Sequence, residues 1–511
     1  MNRKTLAIDR LANILIVIFS LIIALLIWTG EVCGENCFLH TGPKVNYFSW
    51  ENKVIGAEDV AFILGFDRPI NRQSVEASLS IEPPLPGRIS WAGRRMAYTL
   101  NQPAPYGEVY QISIPQAQGL TGESLQPFVK EVVSRDRALA FISTTGSTLG
   151  QLILYNFTTK EQKILTPANL IVTNFLFYPQ GDKILFAAAD KQETDAVIKQ
   201  QLYTINTGLN SSNNQPELTL ILDNQDYQNN QFDLSADGQK IVVQRIKRDN
   251  PLDFDLWLIE SGKAPKPLNI QGGNFLIAPD SQTLAVGQGE GIALISLVTD
   301  QEPLNFLPSF GQILTFSRDG SAAALVNFNT DNPDLRYTRS LFYVNNRGVE
   351  LEVFNTTGSI IDCEFNANST HLYCLMTELI EGDFYQENPY FVAINLENLE
   401  LIPLLKLTNY QDMNISIAPD GLGLVFDQVL TNDQQTNQDN YRQVEAVSYL
   451  FSQLTSSEQA NQLKHLRTNS GAEIIGGNLW LLLIPPTELN DLRQVSLEEL
   501  PFVGFRPQWS P

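Results

Sequence analysis

Leu314–Val326 reads LTFSRDGSAAALV: an apolar alternation ending at Phe316, a Ser-Arg-Asp-Gly turn, then a second apolar run. Period-two alternation on either side of an Asp-Gly turn is the pattern of a β-hairpin. The phrase returns as FLFYPQGDKILFA (Phe175–Ala187), FDLSADGQKIVVQ (Phe232–Gln244) and FLIAPDSQTLAVG (Phe275–Gly287). It returns again as CEFNANSTHLYCL (Cys363–Leu375) and ISIAPDGLGLVFD (Ile415–Asp427), and a halved copy stands at Pro507–Pro511. Copies roughly 40–55 residues apart predict a propeller, a solenoid or an array.

Two further short strands follow most copies, for example Gln201–Ile205 and Leu218–Leu222 after the copy at Phe175. Four short strands per unit, A to D with the phrase as A and B, is the blade pattern. Three strands precede the first full copy, at Leu139–Ser143, Gln151–Asn156 and Gln162–Leu165, and they read as B, C and D of a unit without its A. The half-copy at Pro507–Pro511 reads as an A alone. Pairing the two would complete a blade, close a ring and remove both edge strands, whereas an open array would have to cap its edges. The expected architecture is therefore an all-β seven-bladed propeller over 135–511, with six or eight blades as open alternatives. The stretch 430–477 shows Val444, Val447, Phe451 and Leu454 at helical spacing and predicts a helical insertion between strands B and C of the last blade.

The turn phrases Asp237-Gly238, Asp319-Gly320, Asp420-Gly421 and Pro279-Asp280, with Trp509-Ser510-Pro511, resemble the repeats of TolB-like and WD-type propellers. That resemblance implies a protein-binding scaffold. Calcium loops are not expected at these turns, because Asp and Gly there answer hairpin geometry.

Residues 45–130 read differently, as short strands broken by Pro and Gly, and predict a small β-sandwich. The order Phe66 to Ile70 (F-x-R-P-I), Ser74-Val75, Ile81 with Pro83, a lone Trp91, then Tyr106, Gly107 and Tyr110 resembles bacterial Ig-like domains. It implies a spacer or adhesion role, with Trp91 as a core plug.

The net charge is −22, from 34 basic and 56 acidic residues, a balance that repels phosphate backbones and argues against nucleic acid as a partner. It repels anionic membrane surfaces equally, so membrane attachment would need its own segment. Leu11–Trp28 is an apolar run preceded by Arg3, Lys4 and Arg10 and followed by Glu31 and Glu35. It reads as a transmembrane signal anchor after a basic cytoplasmic tail (1–10), followed by a tether (29–44), with the bulk of the chain on the periplasmic side. A cleaved signal peptide is the alternative, although no small-x-small site follows the run. Four cysteines suit that placement. Cys33 and Cys37 form a CGENC unit, and Cys363 and Cys374 fall nearly opposite each other on one predicted hairpin, as a disulfide or as two buried thiols.

No G-x-S-x-G, H-E-x-x-H, phosphate loop or G-x-G-x-x-G after a strand occurs, so no catalytic residue, cofactor or metal ligand is assigned. In a propeller the A–B and C–D turns share one face, and the B–C and D–A connections share the other. The A–B turns are tight here and the B–C connections long, so function is expected on the B–C face. The candidate partner-binding residues on these loops are Asp190, Glu193 and Asp195; Asp331, Asp334 and Tyr337; Glu381, Asp383, Phe384, Tyr385 and Tyr390; and Tyr441. Aromatic rings beside carboxylates suit a protein or peptide partner. The expected function is a non-catalytic, membrane-anchored envelope protein with a scaffold or assembly role. The alternative is a propeller enzyme of hydrolase or lactonase type acting on a glycan or small ester. Three or more Asp, Glu or Asn side chains meeting at the central channel on the B–C face would favour a metal-dependent enzyme, and a channel plugged by apolar residues would favour the scaffold.

Overall fold

The computed structural model describes residues 12–25, 42–193, 195–209, 217–289, 291–298, 305–308, 310–328, 339–380, 387–407, 413–431, 466–468, 471–484 and 495–511. Contacts divide the chain into two units. One holds Met1–Ile55, Asp59–Asn101 and Val109–Val133; the other holds Gly56–Glu58, Gln102–Glu108 and Ser134–Pro511.

The first unit pairs two four-stranded antiparallel sheets. One runs Val45–Phe48, Ala61–Phe66, Arg95–Leu100, Gly87–Ala92; the other runs Val54–Ile55, Phe128–Ser134, Val109–Ile114, Ser80–Glu82. Between them Phe62 meets Trp50, Phe48 and Tyr98 with ring centroids 5.0, 5.8 and 5.2 Å away. Trp50 is buried at 2% exposure. Trp91 is half-buried, and its indole N–H donates to Glu76, so it closes the sheet edge and does not plug the core. A short helix, Arg72–Ser78, is capped by the Asn71 side chain. Its single buried residue, Val75, leaves no helical periodicity to read in the sequence.

The expected membrane anchor at 11–28 is corrected. Among the described residues no helix is long and apolar enough to cross a membrane. Of the apolar stretch residues 12–25 are described, and they are helical. The single-pass placement of the chain falls with it.

The second unit is a ring of small antiparallel sheets. Blade 2 is Leu170–Phe177, Lys183–Asp190, Gln201–Asn206, Leu218–Leu222, and blade 3 is Tyr227–Leu234, Lys240–Lys247, Phe254–Glu260, Lys266–Pro267. Blade 4 is Phe275–Ile277, Thr283–Gln288, Gly291–Ser296, Asn305–Pro308, and blade 5 is Gln312–Phe316, Ala322–Phe328, Arg339–Asn345, Glu350–Thr356. Blade 6 is Ile360–Phe365, His371–Leu379, Glu387–Asn395, Leu401–Lys406. The last sheet has seven strands because one long strand, Ser496–Trp509, serves two blades. Its first part pairs with Ile474–Leu483 as strand D of blade 7, beside Gly423–Thr431 and Ile415–Ile417. Its second part pairs with Ala138–Ser143 (Gly504 to Ser143, Trp509 to Leu139) as strand A of blade 1, beside Leu152–Asn156 and Glu161–Ile164.

Successive residues of a strand face opposite sides, so each B strand feeds two cores. Ile184, Phe186 and Ala188 face blade 1, while Leu185 and Ala187 face blade 3 and meet Phe232 and Val243. The same alternation links blades 3 and 4 (Val242, Phe275), 4 and 5 (Ala285, Leu325), 5 and 6 (Val326, Cys363) and 6 and 7 (Leu375, Phe426). Blades 7 and 1 share Val425, Leu479, Leu139, Phe141 and Trp509. The ring is closed by packing as well as by hydrogen bonds.

The closing point requires close backbone approach. A Cβ on Gly504 would stand 2.6 Å from the Ile142 carbonyl oxygen, and one on Gly477 would stand 2.6 Å from the Gly504 carbonyl oxygen. Beside them the wholly buried Asp427, on strand B of blade 7, accepts hydrogen bonds from the backbone N–H of Asn414 (2.7 Å), the Asn414 side chain (2.9 Å) and the backbone N–H of Arg506 (2.7 Å). One carboxylate thus ties both inner strands at the junction to the blade behind them.

The Asp-Gly turns are hairpins with internal duties. Asp319 accepts from the Ser321 N–H and from the Ser321 and Ser317 hydroxyls, which hold its carboxyl below the ordinary range. Gly320 and Gly238 take φ of +69° there. In blades 4 and 6, Ser281 and Ser369 occupy the corresponding left-handed position at φ +58° and +56°.

In the hairpin of blade 6, Cys363 pairs in register with Cys374 and the two are joined as a disulfide. They span 11 residues, for which the loop-entropy relation gives about 2–3 kcal/mol. Chemical denaturation with and without reductant should show the oxidised protein more stable by that order, and a Cys363→Ala/Cys374→Ala variant should show no reductant effect. Equal midpoints in all arms would refute this. Cys33 and Cys37 lie outside the described residues.

Candidate functional site

The B–C connections on one face of the ring vary in length. In blade 4 the two strands are joined tightly after Gln288. In blade 7 strands B and C pair as far as Thr431 with Ile474, so the expected insertion leaves between them. Both strands run into the 430–477 range assigned to it, and its expected helical residues, with Tyr441, lie outside the described residues. So do Asp331, Asp334, Tyr337, Glu381, Asp383, Phe384 and Tyr385. The opposite face also carries elaboration, since the C–D connections Asn206 to Leu218 and Ser296 to Asn305 belong there.

The candidates that are described have mostly structural work. Asp190 ends strand B of blade 2 and accepts from the Gln192 N–H (2.9 Å). Asp195 caps a short helix, Ala196–Lys199, accepting from Val197 and Ile198 (3.1 and 3.2 Å). The Glu193 N–H donates to the Asp190 carbonyl, which folds that loop on itself. Tyr390 is not on a loop: strands B and C of blade 6 continue to Leu379 and from Glu387, and the half-buried Tyr390 lies opposite Met376 against the core between blades 5 and 6. Burial raises its phenol pKa.

The neighbouring B–C loop of blade 3, whose residues 248–253 include no aromatic ring, is the one that presents itself. Residues 248–253 are braced at the base, where Lys247 N–H donates to Asp253 (2.9 Å) and Asp253 N–H to Asn250 (2.9 Å). Arg248 braces it sideways, through Nε to the Asn224 carbonyl (2.7 Å) and Nη2 to the Ile198 carbonyl of the blade 2 loop (2.9 Å). Leu252 at the tip is 84% exposed and Ile198 is 41% exposed. Asp249 and Asp253 flank Leu252, with side chains 75% and 55% exposed and only loose approaches to Lys247 at 3.6 and 3.9 Å. Beneath this surface Arg245 is buried between the rings of Tyr227 and Trp257 (4.5 and 4.9 Å) and donates to Asn229. Burial lowers its pKa, with Asp223, Tyr227 and Asp226 opposing. The loops therefore stand on a rigid base.

The inner strands carry polar side chains at matching positions: Asn174, Gln231, Asn274, Asp362 and Asn414. Gln231 donates to Asn274 (2.9 Å), and Asn274 donates to the Ile313 carbonyl of the next blade (3.1 Å). Two residues further along, Asp233 accepts from the Ile277 N–H of blade 4 (2.6 Å), Glu364 from the Ile417 N–H of blade 7 (2.7 Å), and Ser416 from the Trp509 N–H of blade 1 (3.2 Å). The innermost edge of each such strand has no β-partner, and these side chains satisfy it. The inner strands thus carry polar side chains, several of them bonded to the next blade, and among the described residues no group of three His, Cys, Asp or Glu could hold a metal ion.

Burial pushes Asp233 up to about 6 and Asp362 up to about 7. Burial, then the Asp362 charge, pushes Glu364 up to about 8. Folded values above the unfolded ones mean that this stability is fully present below about pH 4 and is lost as pH rises through the folded values. An Asp362→Asn/Glu364→Gln variant should therefore gain on the native protein progressively between about pH 4 and 8 in urea midpoints, and by a constant amount above that. A pH-independent difference between the two would refute the reading.

No protein-family model matches the chain, and no curated protein matches it in sequence. Among solved structures it is similar to TolB from Acinetobacter baumannii (11% identity, 83% of this chain and 82% of that one, TM-score 0.40). It is also similar to an oligogalacturonate lyase from Vibrio parahaemolyticus (12%, 57% and 88%, 0.41). A third is a hypothetical selenium-binding protein from Sulfolobus tokodaii (9%, 74% and 93%, 0.44). The class, a seven-bladed β-propeller in a chain that also carries a β-sandwich, rests on the strand pairing itself. These likenesses carry no activity over to the chain.

Proposed function

We propose that the chain is a non-catalytic binding protein whose propeller holds a basic protein or peptide segment on its B–C face, in a scaffold or assembly role. The observation that supports this is the pair of solvent-facing apolar tips, Leu252 and Ile198, on braced loops beside the exposed carboxylates of Asp249 and Asp253. An exposed leucine at a loop tip costs free energy in water and gains it on being covered, and the carboxylates select a cationic neighbour. The first unit, as an Ig-like spacer, would serve to present the propeller.

A labelled peptide alternating lysine and leucine tests the reading by fluorescence anisotropy. Leu252→Asp should weaken binding about tenfold or more, and Asp249→Asn/Asp253→Asn should weaken it and flatten its salt dependence. Unchanged affinity in both variants would remove the B–C face from consideration.

The enzymatic alternative has one observation in its favour, the neighbouring carboxyls of Asp362 and Glu364 with raised pKa values near the axis. If it held, hydrolysis of an ester or glycan substrate would be lost in Asp362→Asn/Glu364→Gln while the fold persisted.

A further inference from the structure

The β-sandwich unit has a cleft of about 630 Å³ walled by the turn Pro69–Arg72, the hairpin residue Arg94 and Leu120. In a chain of net charge −22, its two charged wall residues are both arginines. Each guanidinium is steadied by one backbone oxygen: Arg72 Nη2 donates to Gly93 (3.4 Å) and Arg94 Nη1 to Asp67 (2.6 Å). Arg72 also lies over the Trp91 ring, 5.5 Å from its centroid. A guanidinium has five N–H donors, so most remain unused, and both side chains are exposed. The nearby carboxylates are otherwise engaged, Asp67 by the Lys44 N–H (2.8 Å) and Glu76 by the Trp91 indole (2.7 Å). Neither arginine has a carboxylate partner among the described residues. Across from them Leu120 is 71% exposed and stands beside Pro69 and Ile70.

We infer that this cleft is a docking site for an acidic peptide segment that carries a large apolar side chain beside its carboxylates. Two oriented forks ask for carboxylate oxygens, which arginine engages in pairs. The exposed leucine asks for an apolar contact in the same occupant. A lone inorganic anion would satisfy the first and leave the second. The site is built from residues of the first unit alone, and its partner has the opposite charge to the one proposed for the propeller's B–C face.

The test uses the full chain and a fluorescein-labelled peptide alternating glutamate and leucine, read by anisotropy. Arg72→Gln and Arg94→Gln should each weaken binding about tenfold, the size expected for a charge-assisted hydrogen bond, and the pair by more. Leu120→Asp should weaken it as well. Arg72→Lys, which keeps charge and loses the fork, should retain part of the affinity, and Leu252→Asp on the propeller should leave it unchanged. Absence of binding, or equal binding by the arginine variants, would overturn the proposal. So would displacement of the peptide by inorganic phosphate or a uronic-acid oligomer as effective as that by unlabelled peptide, which would make the cleft a general anion site.

Discussion

A chain lacking residues 504–511 is expected to lose the cooperative melting of its propeller. Those residues supply strand A of blade 1, and with them go Phe505 (1% exposed) and Trp509 (7% exposed). Removing a buried Phe or Trp side chain costs about 3–5 kcal/mol, and two of them approach the whole stability of a typical domain, about 5–15 kcal/mol. The loss also exposes strand Ala138–Ser143 and Phe141 to solvent and to other chains. Gly504→Val tests the same junction without deletion. Its Cβ would meet the Ile142 carbonyl at 2.6 Å, a backbone atom that cannot rotate away, so a cost of about 3 kcal/mol or more is expected. Calorimetry decides both: a single transition at the native temperature in either variant would show that the ring does not depend on this pairing.

Asp427→Ala should be the most damaging single truncation of a polar side chain. It leaves the N–H groups of Asn414 and Arg506 without their acceptor inside the protein. At about 1–3 kcal/mol for each stranded donor, the urea midpoint should fall by the equivalent of about 3–5 kcal/mol. Asp427→Asn keeps one carbonyl oxygen and should cost less than the alanine. Burial raises the Asp427 pKa, and its hydrogen bonds from Asn414 and Arg506 oppose that shift. A loss under about 0.5 kcal/mol for the alanine variant would mean that water takes over the acceptor role.

The hairpins of the ring were readable because each side of the turn obeys period two and the turn itself needs Asp, Gly or a residue at positive φ. Closure of the ring was readable because the half-copy at Pro507–Pro511, an A without B, C and D, faced a B, C and D without an A; the pairing itself starts earlier, at Gly504. What could not be read were departures from that grammar. Tyr390 sits among polar and acidic residues and looks like loop, yet two long strands carry it into a core. Asp427 and Glu364 look like solvent-facing positions in apolar strands, and only the ring, which sets Asp427 on strand B of blade 7 and Glu364 on the inner strand of blade 6, shows that they bind the next blade's backbone. The Leu252 tip is a lone leucine in a polar turn, and its exposure is a property of the loop's bracing, not of its composition. The apolar run at 11–28 satisfied a length rule for a membrane span, whereas among the described residues no helix is long and apolar enough to cross a membrane.

The strand that serves two blades also sets a timetable. Its partners, Ser143 and Gly504, lie about 360 residues apart, so loop-closure entropy must be overcome over most of the chain before that contact returns anything. During synthesis at about 5–20 residues per second, the strand Ala138–Ser143 waits some tens of seconds with one edge unpaired. For that interval the newborn blade 1 is a template for any passing β-strand, which makes this edge the place where a holding chaperone would be needed most.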